Sequence, residues 1–112
     1  MIACGRGDVV LVGFLFSDES GRKVRPALVI SSQAYQRARR EVIVAAITSN
    51  VRRRLLADHL LADWRAAGLL FPSVVTGIIR TVKGTMIDRK LGSLTTADLQ
   101  AVDRELLCAL GL

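Results

Sequence analysis

The stretch Lys23-Val24-Arg25-Pro26-Ala27-Leu28-Val29-Ile30-Ser31-Ser32 constrains this 112-residue chain more than any other. Val29 and Ile30 are β-branched and flanked by small or apolar residues, the pattern of a well-buried strand. Pro26 has no N–H to give to a ladder, so it belongs at the first position or an edge of that strand. It also drives Arg25 towards an extended backbone. A guanidinium is thereby held at the mouth of a core strand, its stem packed and its head able to reach a ligand. A surface arginine snorkelling at a strand end fits the same segment, so the rest of the chain has to decide between the two.

The remaining elements read as short strands followed by one helix. Val9 to Phe16 is a first strand with little polar alternation. The polar run Ser17 to Lys23 connects it to the Arg25-Pro26 strand as an exposed loop. Ser32 can cap a turn of helix ending near Arg40, and Glu41 to Ile47 is a third buried strand that exits on Thr48-Ser49-Asn50. Leu55 to Leu61 predicts a short fourth strand around His59, a lone histidine with no second His or paired Cys to make it a metal ligand. Asp63 to Gly68 reads as one helical turn ended by glycine, with Trp64 capping the core. Ser73 to Val82 is a fifth strand in which Gly77 marks a bulge or a close approach, and Met86 to Gly92 is a last short one. Thr95 is an N-cap with Asp98 three residues on, a carboxylate capping box. Leu99, Val102, Leu106, Leu107 and Leu110 then form an apolar stripe that Gly111 stops. The fold class is mainly β with helices: a small barrel carrying an amphipathic C-terminal helix, in a single domain over residues 1–112.

Charge narrows the partner. Between Ser20 and Ala57 nine basic residues face the single acid Glu41, a balance of +8 in a chain whose net charge is +6. Arginine outnumbers lysine 13 to 3, and its planar fork suits phosphate. The clustering points to a polyanion, although a solvated basic face has the same composition. With 51% hydrophobic residues and 4% aromatic, the core must be aliphatic. No apolar run approaches the roughly 18 residues of a membrane span. Cys4 and Cys108 lie near opposite ends without a C-x-x-C or a secretory signal, which predicts a cytoplasmic chain with reduced thiols.

Three segments, in this order and spacing, resemble the MazF/PemK family of toxin endoribonucleases: Gly7 to Val12, Arg25 to Ser31 and Val44 to Ser49. Ala67 to Val75 and Arg89 to Leu94 fit the same pattern, so the resemblance covers nearly the whole chain. It implies a partly open SH3-like barrel, a homodimer, and metal-independent, sequence-specific cleavage of single-stranded RNA or mRNA without a cofactor. It also implies a type II antitoxin whose acidic, flexible tail covers the RNA groove. The family's catalytic arginine before proline and threonine ending the third strand correspond here to Arg25 and Thr48. The fifth-strand segment Thr76-Gly77-Ile78-Ile79 departs from the charged residue often carried there, which puts that substrate contact in doubt, though Arg80 and Thr81 remain.

The residue types suit the chemistry. Cleavage by the RNA's own 2′-hydroxyl leaves a 2′,3′-cyclic phosphate and a 5′-hydroxyl. It needs positive charge on the phosphorane oxygens and a hydrogen-bonding group that fixes a phosphate oxygen in line. Arg25 supplies the first; Thr48 or Ser49 supplies the second. The candidate RNA-binding residues are Lys23, Ser31, Ser49, Asn50, Arg52, Arg53, Arg54, Arg80 and Thr81. Asp18 or Glu19 is the candidate general base, the carboxylates nearest Arg25 in sequence; both also suit an exposed turn. The sequence offers no acidic cluster for two metals and no Gly-rich phosphate loop. The competing reading is a non-catalytic barrel that binds nucleic acid or an acidic peptide through the basic segment.

Overall fold

The computed structural model describes residues 2–15, 21–52 and 54–112, the side chains of Phe14, Leu15 and Arg22 aside. Six strands, β1 (Asp8–Leu15), β2 (Arg22–Val29), β3 (Glu41–Thr48), β4 (His59–Leu60), β5 (Val74–Lys83) and β6 (Ile87–Ser93), form one antiparallel sheet in the order β4-β5-β3-β2-β1-β6. Two helices complete the fold, α1 (Gln33–Arg39) between β2 and β3 and α2 (Thr96–Leu110) at the C-terminal end. The edge strands β4 and β6 do not pair, so the sheet curls without closing.

Near-continuous apolar strands arise because both faces of the sheet are covered. Val10, Val12, Ala27, Val29, Val42 and Val44 form one aliphatic cluster. Their strand neighbours Val9, Leu28, Ala45 and Ile47 point the other way, into a second cluster with Leu61, Ala67, Val75 and Val102. Val102 brings α2 onto that second face, with Leu99, Leu106 and Trp64 packed around it. Pro26 sits inside β2 opposite Leu11 of β1 rather than at the strand's first position. Cys4 is buried against Gln36, Cys108 is exposed, and both are free thiols.

The strand expected over Leu55 to Leu61 shrinks to His59–Leu60. Leu55 and Leu56 are exposed in a turn where Ala57 takes φ +79°, and Asp58 closes it by accepting Leu55 N at 2.9 Å. The other Asp58 oxygen accepts Gly77 N at 3.0 Å, where β5 departs from its register with β3. A Cβ on Gly77 would lie 2.9 Å from that of Ala57, so bulge and close approach coincide there.

The gap between the open edges is bridged by the Trp64–Gly68 turn. Gly68 has φ +76°, and a Cβ on it would sit 2.2 Å from the Leu91 carbonyl oxygen of β6. Only glycine allows that contact and that backbone. On α2, Thr95 Oγ1 caps the helix by accepting Asp98 N at 3.2 Å, and Gly111 ends it with φ 71°. The apolar stripe divides: Val102 is buried, Leu99 and Leu106 are half-buried, and Leu107 and Leu110 stand exposed.

Candidate active site

Beside the first half of β2 and the end of β3, the second core opens into a cleft of about 600 Å³. Its floor is aliphatic, with Leu11, Pro26, Ile47 and Leu91, and one wall is the 68–71 segment. Arg25, Thr48, Ser49, Ser73 and Arg89 supply its polar side chains. The β2–β3 ladder ends with Ala27 opposite Ala46, and Arg25 and Thr48, each two residues beyond that pair, both line the cleft. On the other side Leu11 of β1 lies between Pro26 of β2 and Arg89 of β6. The cleft is thus crossed by four neighbouring strands, with the hydroxyls of Thr48, Ser49 and Ser73 and two guanidinium groups along it and no carboxylate or imidazole among its described lining residues.

Arg25 is exposed and donates from Nη1 to the carbonyl of Val24 at 3.2 Å, which leaves most of its fork turned to solvent. Thr48 Oγ1 accepts Asn50 N at 3.1 Å, and Asn50 Oδ1 accepts Arg52 N at 3.3 Å. Accepting that bond leaves the Thr48 hydroxyl proton available to donate to a ligand. Arg52 and Arg54 are exposed on the following loop.

Other sequence candidates lie elsewhere. Ser31 is 4% exposed and its Oγ accepts Ile43 N at 3.1 Å, a bond that joins the end of β2 to β3; it does not line the cleft. Arg80 and Thr81 pair with Val44 and Ile43, six or more residues along β5 from the Val74–Thr48 pair. At about 3.4 Å per residue that is some 20 Å from the cleft. Lys23 faces Phe14 across the β1–β2 ladder and is also outside the lining. Asp18, Glu19 and Arg53 fall outside the described residues. Arg89 was missed as a site residue because only the β1–β6 register, with its two irregularities, brings it beside Leu11.

The family model of PemK-like, MazF-like toxins of type II toxin–antitoxin systems matches residues 5–110. The chain belongs to this family. A search of curated proteins returns no significant match. Among solved structures, an endoribonuclease from a mycobacterial species is 25% identical with TM-score 0.75, covering 100% of this chain and 95% of its own. A second mycobacterial endoribonuclease, in complex with its cognate antitoxin, is 24% identical with TM-score 0.76 and coverages of 98% and 97%. A MazE–MazF structure from Deinococcus radiodurans is 20% identical with TM-score 0.80 and coverages of 99% and 99%, a likeness of fold.

In this PemK/MazF-family chain the cleft wall is fastened from behind. Asp98 of α2 is 1% exposed, and its carboxylate accepts Ala62 N at 2.9 Å, Asp63 N at 3.0 Å and His59 Nε2 at 2.8 Å. It therefore does not reach back to Thr95 as a capping box would; it ties the helix to the segment leading into the wall. Burial pushes the Asp98 carboxyl up, but the Ala62 amide, the His59 ring and the Asp63 amide outweigh it and hold the group below its ordinary 3.8. His59 is a structural partner. Among the described residues no group of three or more His, Cys, Asp or Glu side chains could hold a metal ion, and no helix is long and apolar enough to cross a membrane.

Proposed function

We propose that this toxin-family chain is a metal-independent, sequence-specific endoribonuclease that cleaves single-stranded RNA, mRNA included, in the cytoplasm. The observation that carries this is that Arg25 and Thr48, on adjacent strands, line one cleft together with a second arginine, Arg89. The family and the relatives named as endoribonucleases support it.

In this reading the 2′-oxygen attacks the adjacent phosphorus while the bond to the 5′-oxygen breaks. The 2′-proton passes to a base and the leaving oxygen takes up a proton, giving a 2′,3′-cyclic phosphate and a 5′-hydroxyl. Arg25 meets the charge that builds on the phosphorane oxygens, and the Thr48 proton fixes one of those oxygens in line. Arg89 adds charge from the opposite wall. Asp18 or Glu19, carried on the β1–β2 connection, is the proposed base. Ser49, Asn50, Arg52, Arg53 and Arg54 continue the RNA path along the loop, with Lys23, Arg80 and Thr81 as more distant contacts.

The proposed partners are RNA, a second copy of the chain, and an antitoxin with an acidic tail competing for the same cationic cleft; the mycobacterial complex and the MazE–MazF structure support the antitoxin. For the dimer, the exposed Ile78, Leu107 and Leu110 are apolar surface that a second copy would cover. Incubating the purified protein with a long single-stranded RNA in EDTA, then mapping both fragment ends, tests the activity. Cyclic phosphate at the 3′ ends and hydroxyl at the 5′ ends are expected. Cleavage that appears only with Mg²⁺ or Mn²⁺ would overturn the mechanism.

A further inference from the structure

We infer that Phe71 is a stacking platform for a nucleobase next to the scissile phosphate, and that the hollow beside it is the subsite for that base. The inference rests on the RNA-cleaving reading above. Among the described aromatic side chains Tyr35 and Trp64 are half-buried and each lies under an arginine, whereas Phe71 is 63% exposed. An exposed ring in a chain so poor in aromatics calls for a partner.

The ring is presented by a stiff segment. Pro72 fixes its own φ and narrows the backbone choices of Phe71, which lies in a bend at residues 70–71. Ser73 Oγ donates to the Phe71 carbonyl at 2.8 Å, and Ser73 O accepts Leu61 N at 3.0 Å. On the other side Gly68 is pressed against Leu91, and Leu69 N donates to Trp64 O at 3.2 Å. With the backbone held on both sides, the side chain stands in solvent at the cleft's edge.

Position gives the ring its ligand. Phe71 and Ser49 line both the main cleft and an adjoining hollow of about 360 Å³, completed by Val51 and Pro72. Ser49 directly follows Thr48, so the hollow begins one residue from the proposed phosphate contact. A nucleotide whose phosphate lies between Arg25 and Thr48 has its neighbour's base at this wall. There Phe71 and Pro72 offer a flat apolar face and Ser49 offers a hydroxyl to the base edge. An aromatic beside a cationic track is how single-stranded nucleic acid is gripped, because every base has a π-face. An acidic peptide would gain from the cations but has no need of a ring at this point.

The test is fluorescence anisotropy with two labelled ten-unit chains. One is a 2′-O-methyl RNA with randomised bases, which lacks the nucleophile and stays intact; the other is an abasic phosphodiester chain of equal length. Phe71→Ala should weaken the base-bearing chain by about 5- to 100-fold and leave the abasic chain unchanged. Phe71→Trp should bind the base-bearing chain as the natural protein does. Phe71→Leu keeps apolar bulk without a ring and should behave as Phe71→Ala. Equal weakening of both chains, no weakening, or full recovery by leucine overturns the stacking role. So does a loss of self-association by Phe71→Ala with RNA binding intact, which would assign the ring to a protein contact. A natural protein that neither binds the base-bearing chain nor cuts RNA would sink the RNA reading itself and this inference with it.

Discussion

At the scale of single residues, Arg25 and Thr48 are separable from the fold. Arg25 is exposed, so Arg25→Ala should melt like the natural protein while losing about 10²–10³ in single-turnover cleavage rate, the usual cost of one preorganised charged donor. Arg25→Lys should recover little, because a point charge cannot bridge two oxygens as the fork does. Thr48→Val keeps the branched shape and deletes the hydroxyl, so it too should lose rate, while loss of the exposed Asn50 N bond should cost no more than about 1 kcal/mol in unfolding. A folded Arg25→Ala that cuts normally would return Arg25 to a strand-end surface residue. Asp98 is the opposite case. Its carboxylate satisfies two backbone amides and a histidine out of solvent, so Asp98→Ala should cost about 2 kcal/mol or more in denaturant unfolding.

Among the elements, the Trp64–Gly68 turn decides whether the cleft has a second wall. Gly68→Ala would force a Cβ into the Leu91 carbonyl in a left-handed backbone, and backbone on β6 cannot yield as a side chain can. We expect it to destabilise by about 3 kcal/mol or more and to impair RNA binding together with stability. Gly21, also at positive φ (+105°) but with nothing within 4 Å of a Cβ, is the comparison site: Gly21→Ala should cost only the backbone term, about 1–2 kcal/mol. Equal melting temperatures for the two variants would show that the Gly68–Leu91 contact does not close the barrel's open side.

Across the whole molecule, charge sets both the RNA response to salt and the stability response to acid. Each phosphate neutralised on a single strand contributes about −0.7 to the log–log salt slope, so Arg52→Ala with Arg54→Ala should flatten it by up to roughly 1.4. An unchanged slope would make the loop a solvated face. Asp8 and Asp98 both lie below their ordinary 3.8 in the folded chain. For Asp8, burial works the other way but is outweighed by hydrogen bonds from the Gly5 amide, Ser93 and Lys90. A carboxylate with a depressed folded value adds stability that is complete above its unfolded value and is lost as pH falls through the folded one. Melting temperature should therefore drop from about pH 4 downwards, and Asp98→Asn should shallow that drop. An acid limb unchanged in the variant would mean that Asp98 is not what titrates.

Local chemistry alone determined much of this protein. β-branched runs, Ser32 and Thr95 as caps, and Gly111 as a stop placed α1, α2 and most strands within a residue or two, because each is dictated by neighbours in the chain. The family pattern singles out Arg25 and Thr48 together, and both line the cleft, Thr48 at the end of β3 and Arg25 inside β2. Register, bulges and burial are sums over distant segments, and those only the tertiary structure decided. They brought Arg89 beside Leu11, moved Ser31 into a backbone bond with Ile43, and cut the fourth strand to two residues. They turned Asp98 from its own helix end to the His59–Asp63 segment, where it satisfies the amides of Ala62 and Asp63 across 36 and 35 residues of chain. They also left Phe71 in solvent at the cleft's edge, on a bend whose carbonyl Ser73 holds.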